Sequence, residues 1–568
     1  MNATFREPAS ERALVVKRRR IGGRARASVR TGSLQRAIGA CALLAIVLCS
    51  ALVVVLAADR PSLLSATTHA GFFPHWMAGP LGGLLPGLTR NSTTLKYLFT
   101  AALVVMYVSY MLALTYVPRL RARWAIGGVV AVHAILLLAP PLALTDVFNY
   151  VNYGRMEVVH HLNPYTTIPI LEPHNDPSYL LSNWHQLLSP YGPLFTLMTF
   201  ALVPLGVAAS LWTIKVLLGL ASLATIFLVW KCARLLGRDP VAAIVLVGLN
   251  PIVLIWGLGG DHNDFLMVFC IVLGFYLLLR ARAPVAGERG DTAPVAPIAG
   301  DRGDTAPPAP AAAGSLVADG GGTPPVAAAT SPPVPARETA DRSTAHGGLR
   351  EQVRAWLWPL APLEIGAGMA FVAAAAIKAS GAILIPIVLA ALLRAPRRLT
   401  QVILGMAVAA AVLAAASLFA FGLHVPDLST QSRLVTDVSV PNLLGLALGS
   451  GGETEGLRLA LSGVLACSVL FCCVLAWRRR DAVSASGWVT VALLVTLGWV
   501  LPWYVLWVLP LAALSNSRRL RTTALVLGAY LIVAWAPASG LLWNAIGFHP
   551  EKTSLGRLHQ RYVKELLN

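Results

Sequence analysis

Long apolar runs are the feature that most limits what this chain can fold into. Runs of about 20 apolar residues recur along it, and a helix of that length crosses a hydrocarbon core of about 30 Å. Only 12% of the 568 residues are charged, compared with about a quarter in soluble domains. In lipid every backbone N–H and C=O group must be bonded internally, so such runs fold as helices. The sequence therefore predicts an all-α polytopic membrane protein.

About 13 transmembrane helices are predicted. The spans are 37–57, 97–117, 124–144, 211–231, 241–258, 264–281, 357–377, 380–393, 399–422, 456–477, 486–501, 503–515 and 521–538. A further apolar stretch, 193–207, is short and contains Pro204. If this stretch crossed the membrane, the later basic clusters would face outward, against the positive-inside rule. If it enters the membrane and returns to the same side, all these clusters stay cytoplasmic. We therefore predict that 193–207 is re-entrant or half-buried.

We attribute the net charge of +19 to the membrane topology rather than to binding of a nucleic acid. Ten lysines and arginines lie in the first 36 residues, and the later basic clusters each follow the end of an apolar run. This distribution places the N-terminus in the cytoplasm and makes membrane lipids the partners. The seven cysteines lie within or beside the spans and show no metal-ligand spacing.

The chain divides by composition into five parts. They are a basic cytoplasmic arm (1–36), an N-terminal transmembrane block (37–282), a disordered cytoplasmic linker (283–349), a C-terminal block (350–543) and a polar tail (544–568). The linker is rich in Pro, Ala and Gly and too polar to form a core. Parity places the polar loops 145–192, 257–264, 378–381, 423–455 and 502–504 outside. An extracytoplasmic active site in a cell-membrane protein is therefore expected.

Asp146 opens the outer loop 145–192, directly after a span. A carboxylate at the mouth of a span is unfavourable unless it is solvated or paired, so it is a functional candidate. A helix that begins here and lies on the membrane surface brings Asn149, Tyr150 and Tyr153 to the same face, and such side chains suit a sugar. We interpret Asp146 as the base of a sugar transferase. Alternatively, it only caps this helix.

A glycine-rich turn precedes the sequence Asp261-His262-Asn263-Asp264. Glycine lets the backbone approach a ligand closely, so His262, Asn263 and Asp264 are candidate ligands of a sugar or phosphate. The acids and the histidine also suit a metal ion, although their spacing is a weak signal. A hydrogen-bonded helix start is the structural alternative.

Lys378 lies at a break between two predicted helices, where free N–H groups favour an anion. A donor phosphate is its natural partner, and a lysine that snorkels to the headgroups is the alternative. Arg433, in the outer 423–455 loop, is a second candidate phosphate ligand. It is equally suited to an ion pair with Asp427 or Asp437.

Aromatic residues at the outer interface complete the candidate set. Tyr191, Trp503 and Tyr504 are either sugar ligands or members of an interfacial aromatic belt.

These short motifs, in this order, resemble a known family. They are Asp146-Val147, Asn163-Pro164-Tyr165, Tyr191-Gly192-Pro193-Leu194, Asn250-Pro251, His262-Asn263-Asp264, Lys378 and Pro502-Trp503-Tyr504. They are similar to those of the polyprenol-phosphate-mannose-dependent α-1,6-mannosyltransferases of mycobacteria and corynebacteria, in the glycosyltransferase C superfamily. The resemblance covers about residues 90–515.

The resemblance implies an inverting hexosyltransferase that moves mannose from a lipid-linked donor to a glycan or glycolipid acceptor, without a metal or other cofactor. It implies a glycosyltransferase C-like fold and maps the base onto Asp146. A transporter or lipid flippase is the competing function. Transporters usually place ionisable residues at mid-membrane and show two related halves, whereas here these residues cluster at the outer edge and the halves show no repeat.

Overall fold

The computed structural model describes residues 9–59, 74–84, 91–142, 146–282 and 360–567, with side chains from residue 32 onward. The linker predicted at 283–349 lies outside these residues. In the described part of the chain the regular structure is helical and contains no strand, which confirms the all-α prediction. The described residues before 283 and from 361 onward belong to one compact unit, so both predicted transmembrane blocks contribute to it.

The N-terminal part contains nine helices among the described residues. They are α1 (Ala9–Asp59), α2 (Ser92–Tyr116), α3 (Ala122–Leu137), α4 (Asp146–His160), α5 (Pro177–Leu181), α6 (Pro193–Phe200), α7 (Gly206–Leu235), α8 (Pro240–Gly248) and α9 (Asp264–Arg280). A π-helical stretch, Val253–Leu258, leads into the glycine-rich turn before α9.

The C-terminal part continues from residue 360. Its helices are α10 (Pro362–Ile377), α11 (Ile385–Leu392), α12 (Pro396–Phe421), α13 (Ser429–Ser432), α14 (Val440–Ala447), α15 (Glu455–Arg479), α16 (Ala482–Thr496), α17 (Leu509–Leu514), α18 (Arg518–Trp535), α19 (Ser539–Ala545) and α20 (Ser554–Leu567). Short 3-10 segments, Ala379–Leu384 and Pro502–Trp507, replace regular helix beside the predicted site.

Five helical segments among the described residues are long and apolar enough to cross a membrane, or six if the bent pair α18 and α19 counts as one. The chain is therefore a membrane protein, and the number of thirteen spans stays a prediction. The 193–207 segment was expected to be a re-entrant or half-buried segment, separate from the next span. Helix α6 and the 3-10 turn Val203–Leu205 run on into α7, and Pro193–Leu235 forms one 43-residue candidate span.

Small residues allow the helices that carry the site to pack closely. Helices α10 and α12 cross at Gly368 and Gly405, where a Cβ on either glycine would overlap a backbone carbonyl of the other helix. Close backbone approach of this kind is typical of helix packing in membranes. Helix α9 packs beside α10, with Gly274 against the ring of Phe371. The contact holds the start of α9 near the end of α10.

Candidate functional site

A cavity of about 480 Å³ lies between the outer-loop helix α4, the end of α10 and the aromatic segment that follows α16. Its volume falls within the usual range for small-molecule sites. Residues selected from the sequence that line this cavity are Asp146, Asn149, Tyr153, Tyr191, Lys378, Trp503 and Tyr504. The acid and the cation, more than 200 residues apart in the chain, therefore face the same space.

Helix α4 begins at Asp146, as the sequence predicted. The Asp146 side chain is 20% exposed and accepts no hydrogen bond from a first-turn amide among the described residues. Asn149 and Tyr153 line the cavity beside it, at the predicted i+3 and i+7 positions. Every residue from Val147 to Gly154 is buried within the protein, and the position of this helix on the membrane surface stays a prediction. The packing against α6 is close, and a Cβ on Gly154 would lie 2.9 Å from the Thr199 carbonyl oxygen.

The rest of the outer loop is tied to α4 by polar contacts. The Tyr153 hydroxyl donates to the Leu187 carbonyl at 2.8 Å, and the Asn183 amide donates to the Asn149 Oδ1 at 3.3 Å. Asp176 accepts hydrogen bonds from Arg155 and His160. Burial opposes the charge of Asp176, but these bonds outweigh it and hold the pKa of its carboxyl well below the usual range. The loop is thus fixed against the helix that carries Asp146.

Tyr191 and Lys378 are brought together by a backbone contact. The Gly192 amide donates to the Ile377 carbonyl oxygen at 3.1 Å. A Cβ on Gly192 would overlap the Ala376 carbonyl oxygen, so only glycine allows this approach. Helix α10 ends at Ile377, and Lys378 has an extended backbone (φ −150°, ψ 126°) before the 3-10 segment. The predicted break at Lys378 is confirmed.

The side chain of Lys378 is paired with a carboxylate of the protein. Its Nζ lies 3.0 and 2.9 Å from the two carboxylate oxygens of Asp264, which is fully buried. The indole of Trp507 also donates to Asp264. The lysine Nζ lies 5.0 and 5.4 Å from the ring centroids of Tyr504 and Trp507, within cation–π range. Asp264, expected to contact sugar, instead positions Lys378 from behind the cavity wall.

His262 links Asp146 to the aromatic wall. Its Nδ1 lies 3.4 Å from the Asp146 carboxylate, and its ring stacks on Trp503 at a centroid distance of 3.5 Å. His262 is 1% exposed and does not line the cavity. It therefore supports two lining residues rather than forming part of the wall itself.

The turn that carries His262 depends on its glycines and on a buried ion pair. A Cβ on Gly260 would overlap the Trp256 carbonyl oxygen, and Asp261 has a left-handed backbone with φ 54°. The Asp261 carboxylate is paired with Lys215 at 3.1 Å, and both side chains are 1% exposed. Burying one of these charges without its partner would be strongly unfavourable. The pair therefore anchors the turn to α7.

Unpartnered polar atoms mark the cavity as suited to a polar ligand. Asn149 Nδ2 and Trp503 Nε1 are buried and have no hydrogen-bond partner among the described residues, although both residues line the cavity. Buried donors are usually bonded to something. Two donors beside flat aromatic faces are suited to a sugar, whose hydroxyls accept hydrogen bonds.

The remaining selected residues do not line the cavity. Tyr150 is buried behind Tyr191, with an edge-to-face ring contact at 4.8 Å, and accepts from the Asn263 amide at 3.3 Å. Asn263 is fully buried, and both polar atoms of its side chain lack partners. Arg433 is exposed, while its neighbours Ser432 and Leu434 line the wall. The arrangement gives these three no direct contact with the cavity.

Two acidic residues near the cavity are paired with lysines. In the part of the chain that is described, no group of three or more His, Cys, Asp or Glu side chains is placed to hold a metal ion. Asp261 is occupied by Lys215, and Asp264 by Lys378.

Sequence reasoning missed several residues of the site. Lys215 lies in the interior of the predicted span 211–231, away from the lysine at its end. This position was a usable signal, because charged residues within a membrane are usually paired or functional. The lining residues that carry no such signal are Trp184, Ser380, Gln431, Ser432, Trp499 and Trp507. They come from elements whose proximity only the tertiary structure establishes.

Two family models match this chain. Residues 36–296 match the family model described as "Alpha-(1->6)-mannopyranosyltransferase, N-terminal domain", and residues 437–548 match the MptB C-terminal domain. No solved structure matches the chain significantly.

Curated relatives carry the same name. Alpha-(1->6)-mannopyranosyltransferase A is 34% identical over 161 residues in Mycobacterium tuberculosis and 30% identical over 154 residues in Corynebacterium glutamicum. These alignments cover 26% of this chain in both cases, and 29% and 30% of the relatives. A further Mycobacterium tuberculosis alpha-(1->6)-mannopyranosyltransferase is 29% identical over 433 residues, covering 70% of this chain and 66% of that protein. The chain thus spans less than a third of the first two relatives and about two thirds of the third. The two family models, matched in chain order, and the relatives that carry this name show that the chain is similar to the alpha-(1->6)-mannopyranosyltransferases.

Proposed function

We propose that this protein transfers mannose from a polyprenyl-phosphate donor to an extracytoplasmic glycan or glycolipid, with inversion and formation of an α-1,6 linkage. The observation that carries the proposal is that Asp146 and Lys378 line one aromatic-walled cavity. The printed names of the relatives supply the sugar and the linkage. The topology of the basic clusters supplies the side of the membrane.

Asp146 acts as the base in this proposal. Its carboxylate takes the proton of the acceptor hydroxyl as the oxygen forms a bond to the anomeric carbon of mannose. The bond from that carbon to the phosphate oxygen breaks on the opposite face, and polyprenyl phosphate leaves. A well-placed base accelerates such a step by about 10²–10⁴-fold.

Lys378 stabilises the phosphate that leaves. An ammonium group has three N–H donors, and two of them are directed to the Asp264 oxygens. The third remains for a phosphate oxygen, so Asp264 orients the cation without consuming all its donors. Fixed charges aimed at developing charge usually contribute more than proton transfer does.

The aromatic wall orients the sugars. Tyr153, Tyr191, Trp503 and Tyr504 offer flat apolar faces, and the free donors of Asn149 and Trp503 offer hydrogen bonds to hydroxyls.

The test is transfer by membranes that contain the full-length protein, using labelled polyprenyl-phosphate mannose and an α-1,6-linked mannose oligosaccharide. Wild type should form a product extended by one α-1,6-linked mannose, and Asp146→Asn should lower the rate by about 10²–10⁴-fold. Asp239→Asn is the matched control, since this exposed residue caps α8 away from the cavity and asparagine caps a helix equally well. Near-normal transfer by Asp146→Asn, or no mannose product from wild type, would overturn the proposal.

A further inference from the structure

A second cavity, of about 560 Å³, lies next to the first and is built largely by the C-terminal segment. Trp499 lines both cavities, and the chain passes from one to the other between Leu434 and Val435. The segment after residue 543 was expected from sequence only to be a polar tail. Instead α20 packs onto the outer loops, where the Gln186 amide donates to the Leu566 carbonyl at 3.1 Å.

The wall between the cavities is firmly held. The Thr436 amide donates to the Gly498 carbonyl at 2.9 Å, and the Thr436 hydroxyl accepts from the Val500 amide at 3.4 Å. These two bonds bracket Trp499, whose ring also meets Trp184 edge to face at 6.2 Å. Trp499 is therefore positioned where a chain-like ligand leaving one cavity would meet it before entering the other.

The second cavity combines aromatic faces with acids and amides. Trp535, Trp543 and Phe548 line it, and the buried indole nitrogen of Trp535 has no hydrogen-bond partner in the part of the chain that the structure describes. Asp437 and Glu551 lie on the same wall. Burial and the nearby Glu551 charge raise the pKa of Asp437.

The lining residues of the second cavity determine which class of ligand it can bind. The lining also carries Lys564 and His549, which lies 3.1 Å from Glu551, so the charges are mixed and neither an anionic nor a cationic ligand is singled out. A metal is not favoured either, because no set of three possible ligands is assembled in the described residues. Neutral hydroxyl-rich rings satisfy both features, since they donate to carboxylates and rest on aromatic faces.

We propose that this second cavity binds the part of the acceptor glycan that lies beyond the reacting sugar. The inference rests on the proposed function, because the acceptor's reacting hydroxyl must lie at Asp146 in the first cavity. The second cavity then favours acceptors long enough to pass Trp499.

The test measures binding without turnover. Full-length Asp146→Asn protein in lipid nanodiscs is titrated calorimetrically with α-1,6-linked mannose oligosaccharides of one to four residues. Affinity should rise with length, and the additional change Trp543→Ala should reduce the gain from one to four residues by about tenfold, or about 1.4 kcal/mol. Trp477→Ala is the matched control, because Trp477 lies on α15, contacts Arg394 and lines neither cavity.

A second variant guards against misfolding of Trp543→Ala. Glu551→Gln changes a partly exposed side chain while keeping its shape, and should weaken the longest oligosaccharide severalfold. Affinity independent of length, or a gain unaltered in both variants, would overturn the inference. The two proposals can fail separately. If the variants lose the increase in affinity with oligosaccharide length but the wild-type protein transfers no mannose, the glycan-binding site is supported and the transferase proposal fails.

Discussion

The Lys378 ammonium lies 2.9 Å from the Asp264 carboxylate, which is fully buried and also receives the Trp507 indole N–H. The cation that faces the cavity is thus held by an acid that the cavity cannot reach. Removing either member leaves the other charge partly or fully buried without its partner, which is strongly unfavourable.

This pairing predicts strong non-additivity between Lys378→Met and Asp264→Asn. Asp264→Asn should lower mannose transfer by 10-fold or more, because Lys378 loses the group that orients it. The double variant should be little worse than Lys378→Met alone, since there is then no cation to orient. Transfer rates are measured for wild type, both single variants and the double variant, with the donor concentration varied. We expect these rates to give a coupling energy of at least about 1 kcal/mol.

The control for this cycle is Lys231→Met, a matched change at a lysine that lies over Phe227 and lines neither cavity. It should leave transfer near wild type. Strictly additive effects of Lys378→Met and Asp264→Asn would remove the positioning role of Asp264.

Gly192→Ala should disable the site through the backbone. The new Cβ would overlap the Ala376 carbonyl oxygen, which forces apart the segments carrying Tyr191 and Lys378. We expect at least a tenfold loss of transfer together with a lower unfolding temperature, because a buried helix contact is overpacked. Both are measured on the purified protein by a transfer assay and a thermal unfolding scan.

Gly219→Ala provides the comparison. Gly219 lies within α7 with nothing within 4 Å of an added Cβ, and alanine favours helix by about 1 kcal/mol over glycine. This variant should keep its activity and its unfolding temperature. Equal behaviour of the two glycine variants would contradict the close-approach argument.

Local patterns in the sequence predicted the features that depend on neighbouring residues. The helix starting at Asp146, the presence of Asn149 and Tyr153 on its cavity face and the break at Lys378 all follow from periodicity and composition. Asp146 and Lys378, each selected from its local sequence, line the same cavity.

Pairings between distant residues were not predictable in this way. Asp264 with Lys378 and Asp261 with Lys215 join residues 114 and 46 positions apart, and no local pattern encodes such a partner. The burial of α4 within the protein was not predictable for the same reason, since Tyr150 is covered by Phe195 from another helix. The packing of α20 against the outer loops likewise depends on contacts that only the folded chain establishes.

His262 should influence turnover by holding Asp146 and Trp503. His262→Phe keeps a flat ring against Trp503 but removes the Nδ1 that lies 3.4 Å from the Asp146 carboxylate. We expect kcat to fall severalfold with little change in the donor KM. His262→Ala also leaves a space beneath Trp503 and should raise the KM.

Steady-state kinetics with donor and acceptor varied separately distinguish the two variants. The histidine control is His174→Phe, an exposed outer-loop position that lines neither cavity. Unchanged kcat in His262→Phe would show that the contact with Asp146 is not used.

Glu172 should make stability depend on pH. Burial raises the pKa of this carboxyl from 4.5 to about 8, although Asn152 donates to it at 2.6 Å. The folded state therefore keeps a proton that the unfolded state releases, so stability falls as pH rises from about 4.5 to about 8. Glu172→Gln removes this titration while keeping an oxygen for Asn152, and should raise the unfolding temperature above pH 8 with little effect at pH 5.

Thermal unfolding of both proteins from pH 5 to 9 measures the difference, and Glu565→Gln, at an exposed position of α20, is the matched control. Parallel pH profiles for wild type and Glu172→Gln would exclude Glu172 as the group responsible.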